Sequence, residues 1–491
     1  MNLTQKHITT IFARLKRGAG LYYSLGWYNV CTQWVKAACW WAYYFNVCFS
    51  DDYLELLSKD LSHGIKTLNK YSGKNNKVVF YDSFMLSNRG LTQQYLRALM
   101  TQGKQILFIT DAQKGASESI EIAKELDNYK SAQIVYIPPE LNGLCRSQFI
   151  YDIIVEYQPT ALFMHLMPDA IEAICAFHAL PNEIVRYQIN LTDHTFWLGA
   201  TALDYSFEFR PYGAKVSAQY RNISVNKILL CPYYPIVSNI PFQGFPFEPQ
   251  ENDIIIFSGG SLYKFSDEKH TFANMVKRIL DENGYAKWIF AGFDLEQARI
   301  VFPEICVPQY AHRVYFIGNR KDIAEVTRHI DIFVNSYPMG GGLMMMYAAL
   351  YSKPILLLKG SGEDILNQLK TIDIASSSSD DLCVKAKELI ENRKGQKELG
   401  GKIHSCVVTE DVFNDIFNNL FLTHKNVLPL DCTQEVKIPD MHKKIEYART
   451  HDECRLRVCS ILKLRLIPVS CYFWSPLLEK TQRKIKRLLH K

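Results

Sequence analysis

Residues 254–280 read IIIFSGGSLYKFSDEKHTFANMVKRIL, and this stretch decides the fold. Ile254 to Phe257 is a short apolar run with no polar interruption, the pattern of a strand buried on both faces. Ser258-Gly259-Gly260-Ser261 is a turn of small residues, Leu262-Tyr263-Lys264 leads out of it, and a helix with an apolar stripe follows. Strand, turn and helix in this order form the repeating unit of a parallel sheet covered on both faces. Working outward, the same alternation continues at Lys287 to Ala291, Val314 to Ile317, Ile332 to Asn335 and Pro354 to Leu358. It also occurs upstream, at Val78 to Tyr81, Gln105 to Thr110, Ala132 to Ile137, Ala161 to His165, Ile184 to Ile189 and Leu203 to Phe207. Helices fit between most of these, as at Leu91 to Thr101 and Ser117 to Tyr129. Between the two series lie five prolines (Pro232, Pro235, Pro241, Pro246 and Pro249) with little periodicity, which marks a connection.

The expected organisation is α/β: two Rossmann-like doubly wound domains facing a cleft, with extra helices at both ends of the chain. The expected spans are an aromatic-rich helical segment at 1–75, a first domain at 76–235, a linker at 236–252, a second domain at 253–430 and C-terminal helices at 431–491. A length of 491 residues suits two cores rather than one. The cleft lies between the carboxyl ends of the strands, where open α/β sheets bind ligands.

Composition narrows the setting. An apolar fraction of 48% and an aromatic fraction of 13% suit packed interiors and exclude a disordered chain. Thirteen cysteines without a C-x-x-C pair fit neither a zinc ribbon nor a disulfide framework, so a reducing, cytoplasmic compartment is expected. The formal charge of +6 is too small to argue for nucleic acid as a partner. Near the start, Arg14, Lys16 and Arg17 precede an aromatic stretch from Leu21 to Phe49, in which Trp27, Trp34 and Trp41 recur every seven residues and would line one helical face. That stretch fits a helix packed on the protein's own body, an interfacial helix or an imperfect membrane span. Gln33, Lys36 and Asn46 weigh against the span. At the other end, residues 480–491 carry six basic side chains beside Ile485, Leu488 and Leu489, a basic amphipathic pattern that suits a solvated helix or a peripheral contact with anionic lipid at the inner face of a membrane.

Three segments carry candidate chemistry. In the first, Ser258, Gly259 and Gly260 let a ligand approach the backbone, and Lys264 brings a compact positive charge to the cleft, suited to a diphosphate. In the second, residues 331–355, DIFVNSYPMGGGLMMMYAALYSKPI, Gly340, Gly341 and Gly342 open a helix whose free N–H groups and positive dipole end favour phosphate. A tight turn packed on the sheet would use the same glycines. In the third, residues 188–210, QINLTDHTFWLGATALDYSFEFR, a strand end is followed by Asp193 and His194. Either could accept a proton, the histidine being better matched to neutral pH, and a histidine bonded to backbone is the structural alternative. Neighbours in a strand point oppositely, so one of the two is expected to face the ligand. Asn88, Arg89 and Gly90 follow the first strand on the opposite side of the cleft. Arg320 is a candidate contact to a nucleotide base or a surface charge at a helix start. No metal-ligand cluster is expected, and Asp380-Asp381 reads as a helix start.

The string Leu262-Tyr263-Lys264 after a strand and a small polar turn resembles the catalytic domain of protein O-GlcNAc transferases and the related bacterial cytoplasmic N-glycosyltransferases. Residues 188–210, upstream of that string, and 331–355, downstream of it, resemble two further segments of that family and occur in the family's order, so the likeness extends over about residues 77–358. It implies a GT-B glycosyltransferase in which Lys264 contacts the donor diphosphate. It further implies an inverting, metal-independent transfer from a nucleotide sugar, with no cofactor beyond that co-substrate. The chain departs from the pattern where the family places threonines and a ribose-binding aspartate, since it has Leu343, Met344, Met345, Met346 and Tyr347 there. The resemblance puts Asn88, Arg89 and Gly90 on the acceptor side, where the family's histidine is replaced by polar groups including Arg89 and Thr92. Glycan, lipid-linked and protein acceptors all remain open, with envelope polysaccharide assembly the expected setting. Two other functions share these features: a nucleotide-sugar epimerase or hydrolase on the same fold, and a catalytically silent scaffold.

Overall fold

The computed structural model of the protein describes residues 4–68 and 71–436, with 438, 458, 460 and 461. The basic segment 480–491 lies outside the described residues.

Seven parallel strands form the first sheet: β1 (Lys74–Asp82), β2 (Gln105–Thr110), β3 (Ala132–Tyr136), β4 (Pro159–His165), β5 (Val185–Asn190), β6 (Tyr205–Glu208) and β7 (Ile228–Leu230), in the order β3-β2-β1-β4-β5-β6-β7. Six more form the second: β8 (Ile254–Gly259), β9 (Ala286–Ala291), β10 (Val314–Phe316), β11 (Ile332–Val334), β12 (Ile355–Leu358) and β13 (Ala375–Ser376), in the order β10-β9-β8-β11-β12-β13. Each sheet reverses direction beside its first strand, between β1 and β4 and between β8 and β11, which is the doubly wound order of a dinucleotide-binding domain. All eleven expected strands are present. The two that were not expected, β7 and β13, are three and two residues long, too short to register as an apolar run.

Both faces of each sheet are covered, which explains why the strands read as unbroken apolar runs. On one face of the first sheet, Val79, Tyr81, Leu162 and Met164 share a core with Ile8, Leu15, Trp41 and Phe45. The N-terminal segment is therefore part of the first domain's core. The chain there is a hairpin of two helices, Gln5–Ser24 and Tyr28–Phe45, and the tryptophans share the face turned to the first of them: the rings of Trp27 and Trp34 each stand 5.8 Å from that of Tyr22. Gly26 makes the reversal, with φ +73, a conformation that glycine adopts without strain. Trp27 then sits in the turn, 58% exposed, while Trp41 is buried and its Nε1 donates to the Ile8 carbonyl at 3.0 Å. Among the described residues no helix is long and apolar enough to cross a membrane.

A second correction concerns the span 253–430. Helix Glu410–Thr423 leaves the second domain and packs on the other face of the first sheet, where the rings of Phe413 and Phe417 meet Tyr95, Phe163 and Phe207 edge-on or tilted. The proline-rich connection is irregular and lies along the second domain, with Phe247 stacked on Tyr315 at 4.4 Å. Asp380 and Asp381 are in the first turn of helix Ser379–Glu391, capped by Ser378.

Candidate active site

The carboxyl ends of the two sheets face one cavity of about 360 Å³. From the first domain it is lined by Arg89, Gly90, Asp193, His194 and Arg210, and from the second by Lys264, Gly340, Gly342 and the loop Gly360–Ile365.

Asp193 and His194 stand in a turn, three and four residues beyond the end of β5 and not in the strand, and both line the same cavity. His194 Nδ1 is 3.2 Å from Asp193 Oδ1. If Nδ1 carries the proton, Nε2 is the basic nitrogen. Asp193 is fully buried, and Arg210 grips it with Nε at 2.5 Å and Nη2 at 3.1 Å. Burial opposes its ionisation, but the Arg210 charge and the bonds from His194 and Arg210 prevail and hold the carboxyl well below the usual range. A carboxylate so committed is a poor proton acceptor, which corrects the reading of Asp193 as a base. Its two oxygens contact both the His194 ring and the Arg210 guanidinium.

The turn is held from behind by Arg221, whose Nη2 donates to the carbonyls of Thr192, Asp193 and Thr195 at 3.3, 3.1 and 2.7 Å. Beneath it, the buried Glu208 accepts from Ser206 Oγ at 2.8 Å, Ser217 Oγ at 2.6 Å and Asn190 Nδ2 at 2.9 Å. Burial outweighs those bonds and pushes the carboxyl up to about 7. An acid with a raised folded pKa keeps its proton after the unfolded chain has lost it, so stability falls as pH rises from about 4.5 to 7 and then levels off. Glu208→Gln should flatten that segment of a urea-midpoint profile. A profile as steep as the unsubstituted protein's would remove Glu208 as its source.

Lys264 lies in the helical turn Leu262–Phe265 after β8, half-buried in the cavity wall. Burial, then the Arg210 charge, pull its ammonium down to about 8, with Asp193 partly offsetting them. On the same side of the cavity, where the Met339 N–H donates to the Lys264 carbonyl at 3.3 Å, helix Gly342–Leu350 begins. The amides of a helix's first turn have no partner within the helix, and Gly342 and Leu343 line the cavity. The glycines before it also serve packing. A Cβ on Gly340 would stand 1.8 Å from the Ser361 carbonyl oxygen, and one on Gly341 3.0 Å from that of Gly259. Asn335 ties the two loops together, accepting from the Gly341 N–H at 2.9 Å and donating to the Ser361 carbonyl at 2.8 Å.

Of the sequence-derived candidates, Arg89, Gly90, Asp193, His194, Lys264, Gly340 and Gly342 therefore meet in one cavity, whereas Asn88, Ser258, Gly259, Gly260 and Gly341 do not line it. Ser258 is fully buried and donates to the Val334 carbonyl at 2.7 Å, a bond between β8 and β11. Arg320 is elsewhere. It pairs with Asp322 and donates to the Gly244 carbonyl at 2.6 Å, stapling the connection to the second domain, which corrects its assignment to a nucleotide base. Sequence reading missed Arg210, which lies between the domains with Asp364 3.7 Å from its guanidinium. The only trace of it was its place at the end of the quoted 188–210 stretch. Among the described residues no group of three or more His, Cys, Asp or Glu side chains gathers as a metal site, and the ten described cysteines are free thiols.

Comparison of the sequence with known protein families and with curated proteins gives no match. Solved structures do match. A mutant of the Thermobaculum terrenum O-GlcNAc transferase superposes with a TM-score of 0.54 at 10% identity, over 79% of this chain and 76% of that one. A mutant of S. aureus TarM, in complex with fondaparinux, α-GlcNAc-glycerol and UDP, gives 0.51 at 10% identity, over 70% and 99% of the two chains. Anabaena HepE, in complex with UDP and glucose, gives 0.50 at 12% identity, over 71% and 100%. Two doubly wound domains with this strand order, facing each other across a ligand-sized cavity, and this set of structural neighbours identify the fold: the chain has the GT-B fold.

Proposed function

We propose that the protein is a glycosyltransferase that moves a sugar from a nucleotide diphosphate donor to a glycan, lipid-linked or protein acceptor, with inversion and without a metal. The observation that supports this most is the meeting of Lys264 and the Gly342 helix start with the His194–Asp193 pair in one cavity. Cations and amides on one side suit a leaving diphosphate, and a carboxylate-oriented imidazole on the other suits proton removal from an acceptor. Two of the solved structures with this fold hold UDP.

In the proposed reaction the acceptor oxygen or nitrogen forms a bond to the anomeric carbon as the bond from that carbon to the phosphate oxygen breaks. His194 Nε2 takes the acceptor's proton, and Asp193 holds the ring in the matching tautomer. The departing electron pair settles on the diphosphate, where Lys264 and the first-turn amides of helix Gly342–Leu350 answer its charge. Arg210, already bound to Asp193, positions that carboxylate. We further place the reaction in a cytoplasmic setting, peripheral to a membrane, with envelope polysaccharide assembly as its context.

A thermal-shift screen tests the donor. At a nucleoside diphosphate or nucleotide-sugar concentration 100 times the Kd, the native state gains about 2.7 kcal/mol, which raises the melting temperature measurably. A flat response to every nucleotide at millimolar concentration would favour the silent scaffold. Release of free sugar or of an epimer without acceptor would favour the hydrolase or epimerase.

A further inference from the structure

A second cavity, of about 410 Å³, opens at the carboxyl ends of β1 and β2 on the first domain alone. Its size falls in the range of small-molecule sites, about 300–1,000 Å³. Its wall carries two cations, Lys36 and Arg146, and three carboxylates, Asp111, Asp169 and Glu172. Lys36 Nζ meets Glu172 Oε1 at 2.6 Å, and Arg146 Nη2 meets Asp111 Oδ1 at 2.5 Å. Tyr81 donates to the same Asp111 Oδ1 at 2.9 Å. Each of these two pairs thus uses one carboxylate oxygen, and neither Asp111 Oδ2 nor Glu172 Oε2 has a hydrogen-bond partner among the described residues.

This lining selects a chemistry. The excess of carboxylate disfavours an anion, and the acidic groups do not gather as a cation site. Two cations beside two carboxylates, Asp111 and Glu172, that each keep an oxygen to offer match a ligand whose groups both donate and accept, which is the property of a hydroxyl. One loop, residues 83–91, borders both the cavity and the cleft. Ser83 and Met85 line the second cavity, and Arg89, Gly90 and Leu91 line the first. Behind that loop stands a buried pair, His165 Nδ1 and Asp82 Oδ1, 3.0 Å apart at the switch between β1 and β4.

We propose that this cavity is a saccharide-binding site that takes a sugar residue of the acceptor remote from the reacting hydroxyl. The acceptor is then an oligosaccharide or polysaccharide that crosses the loop 83–91 into the cleft. This second statement rests on the glycosyltransferase reading, whereas the saccharide site itself does not.

Saturation-transfer NMR of the full chain with lactose, cellobiose, maltose and diacetylchitobiose, with and without UDP, tests both. The expected result is that at least one disaccharide binds, that Asp111→Asn and Glu172→Gln each weaken its binding by tenfold or more at unchanged melting temperature, and that UDP does not displace it. If one variant misfolds, the other still decides. Failure of all four sugars to bind, or binding that is unchanged in a folded variant, overturns the site. Displacement by UDP also overturns it, because the sugar would then occupy the cleft. A disaccharide that binds as expected in a protein that binds no UDP would leave the site standing and remove the glycosyltransferase reading instead.

Discussion

Replacing Lys264 with alanine is expected to lower turnover by about 100-fold to 1000-fold, or about 2.7–4 kcal/mol of transition-state stabilisation. Charge on the departing oxygen grows as the bond to the anomeric carbon breaks, so an ammonium facing it stabilises the transition state more than the bound donor. Donor affinity should therefore weaken less than turnover. The substitution leaves a half-buried site with one fewer cation beside Arg210, whose charge already depresses Lys264. The fold should survive it. Lys264→Arg should not restore full activity, since a planar fork does not occupy the place of a compact point charge. Steady-state kinetics of both variants check this. Near-native turnover by a folded Lys264→Ala protein would remove the leaving-group site.

His194→Ala is expected to cost about 100-fold or more in turnover with donor affinity nearly unchanged, the scale of a lost general base. The competing assignment is structural, because His194 also bonds to Asp193. The two differ in readout. A structural histidine would lower the melting temperature along with activity, whereas a base would leave the turn held by Arg210 and Arg221 and change only the chemical step.

The fold was legible because parallel strands buried on both faces leave a strong mark: β2 could be bounded at both ends from Gln105 to Thr110 alone. Edge strands such as β13, two residues paired at the sheet margin, leave none. Lys264 was legible from its place after β8, a position set by local order. Arg320 occupies a similar place after β10 yet turns away, because Asp322 two residues on and the Gly244 carbonyl of the connection capture its guanidinium. Asp193 was read as a base from its neighbour in sequence, but its state is set by Arg210, seventeen residues away. Arg221 escaped notice for the same reason. A buried arginine that binds three carbonyls of a distant turn has no signature in spacing. The hairpin of aromatic helices was legible in part: period seven in the tryptophans marked the face that the second helix turns to the first, whereas the reversal itself left no trace beyond one glycine, Gly26, whose φ is positive.

The claim on which the rest depends is that a diphosphate binds against Lys264, and calorimetric titration of the full chain with UDP between pH 7 and 9.5 tests it directly. The free ammonium is held near 8, and a bound diphosphate would raise it, so binding at pH 8 should take up a fraction of a proton. Affinity should be level below that pH and fall by up to tenfold per unit above it, and the decline should vanish in Lys264→Met. Binding that is insensitive to pH and equal in the two proteins, or no binding of UDP at any pH, would contradict the assignment.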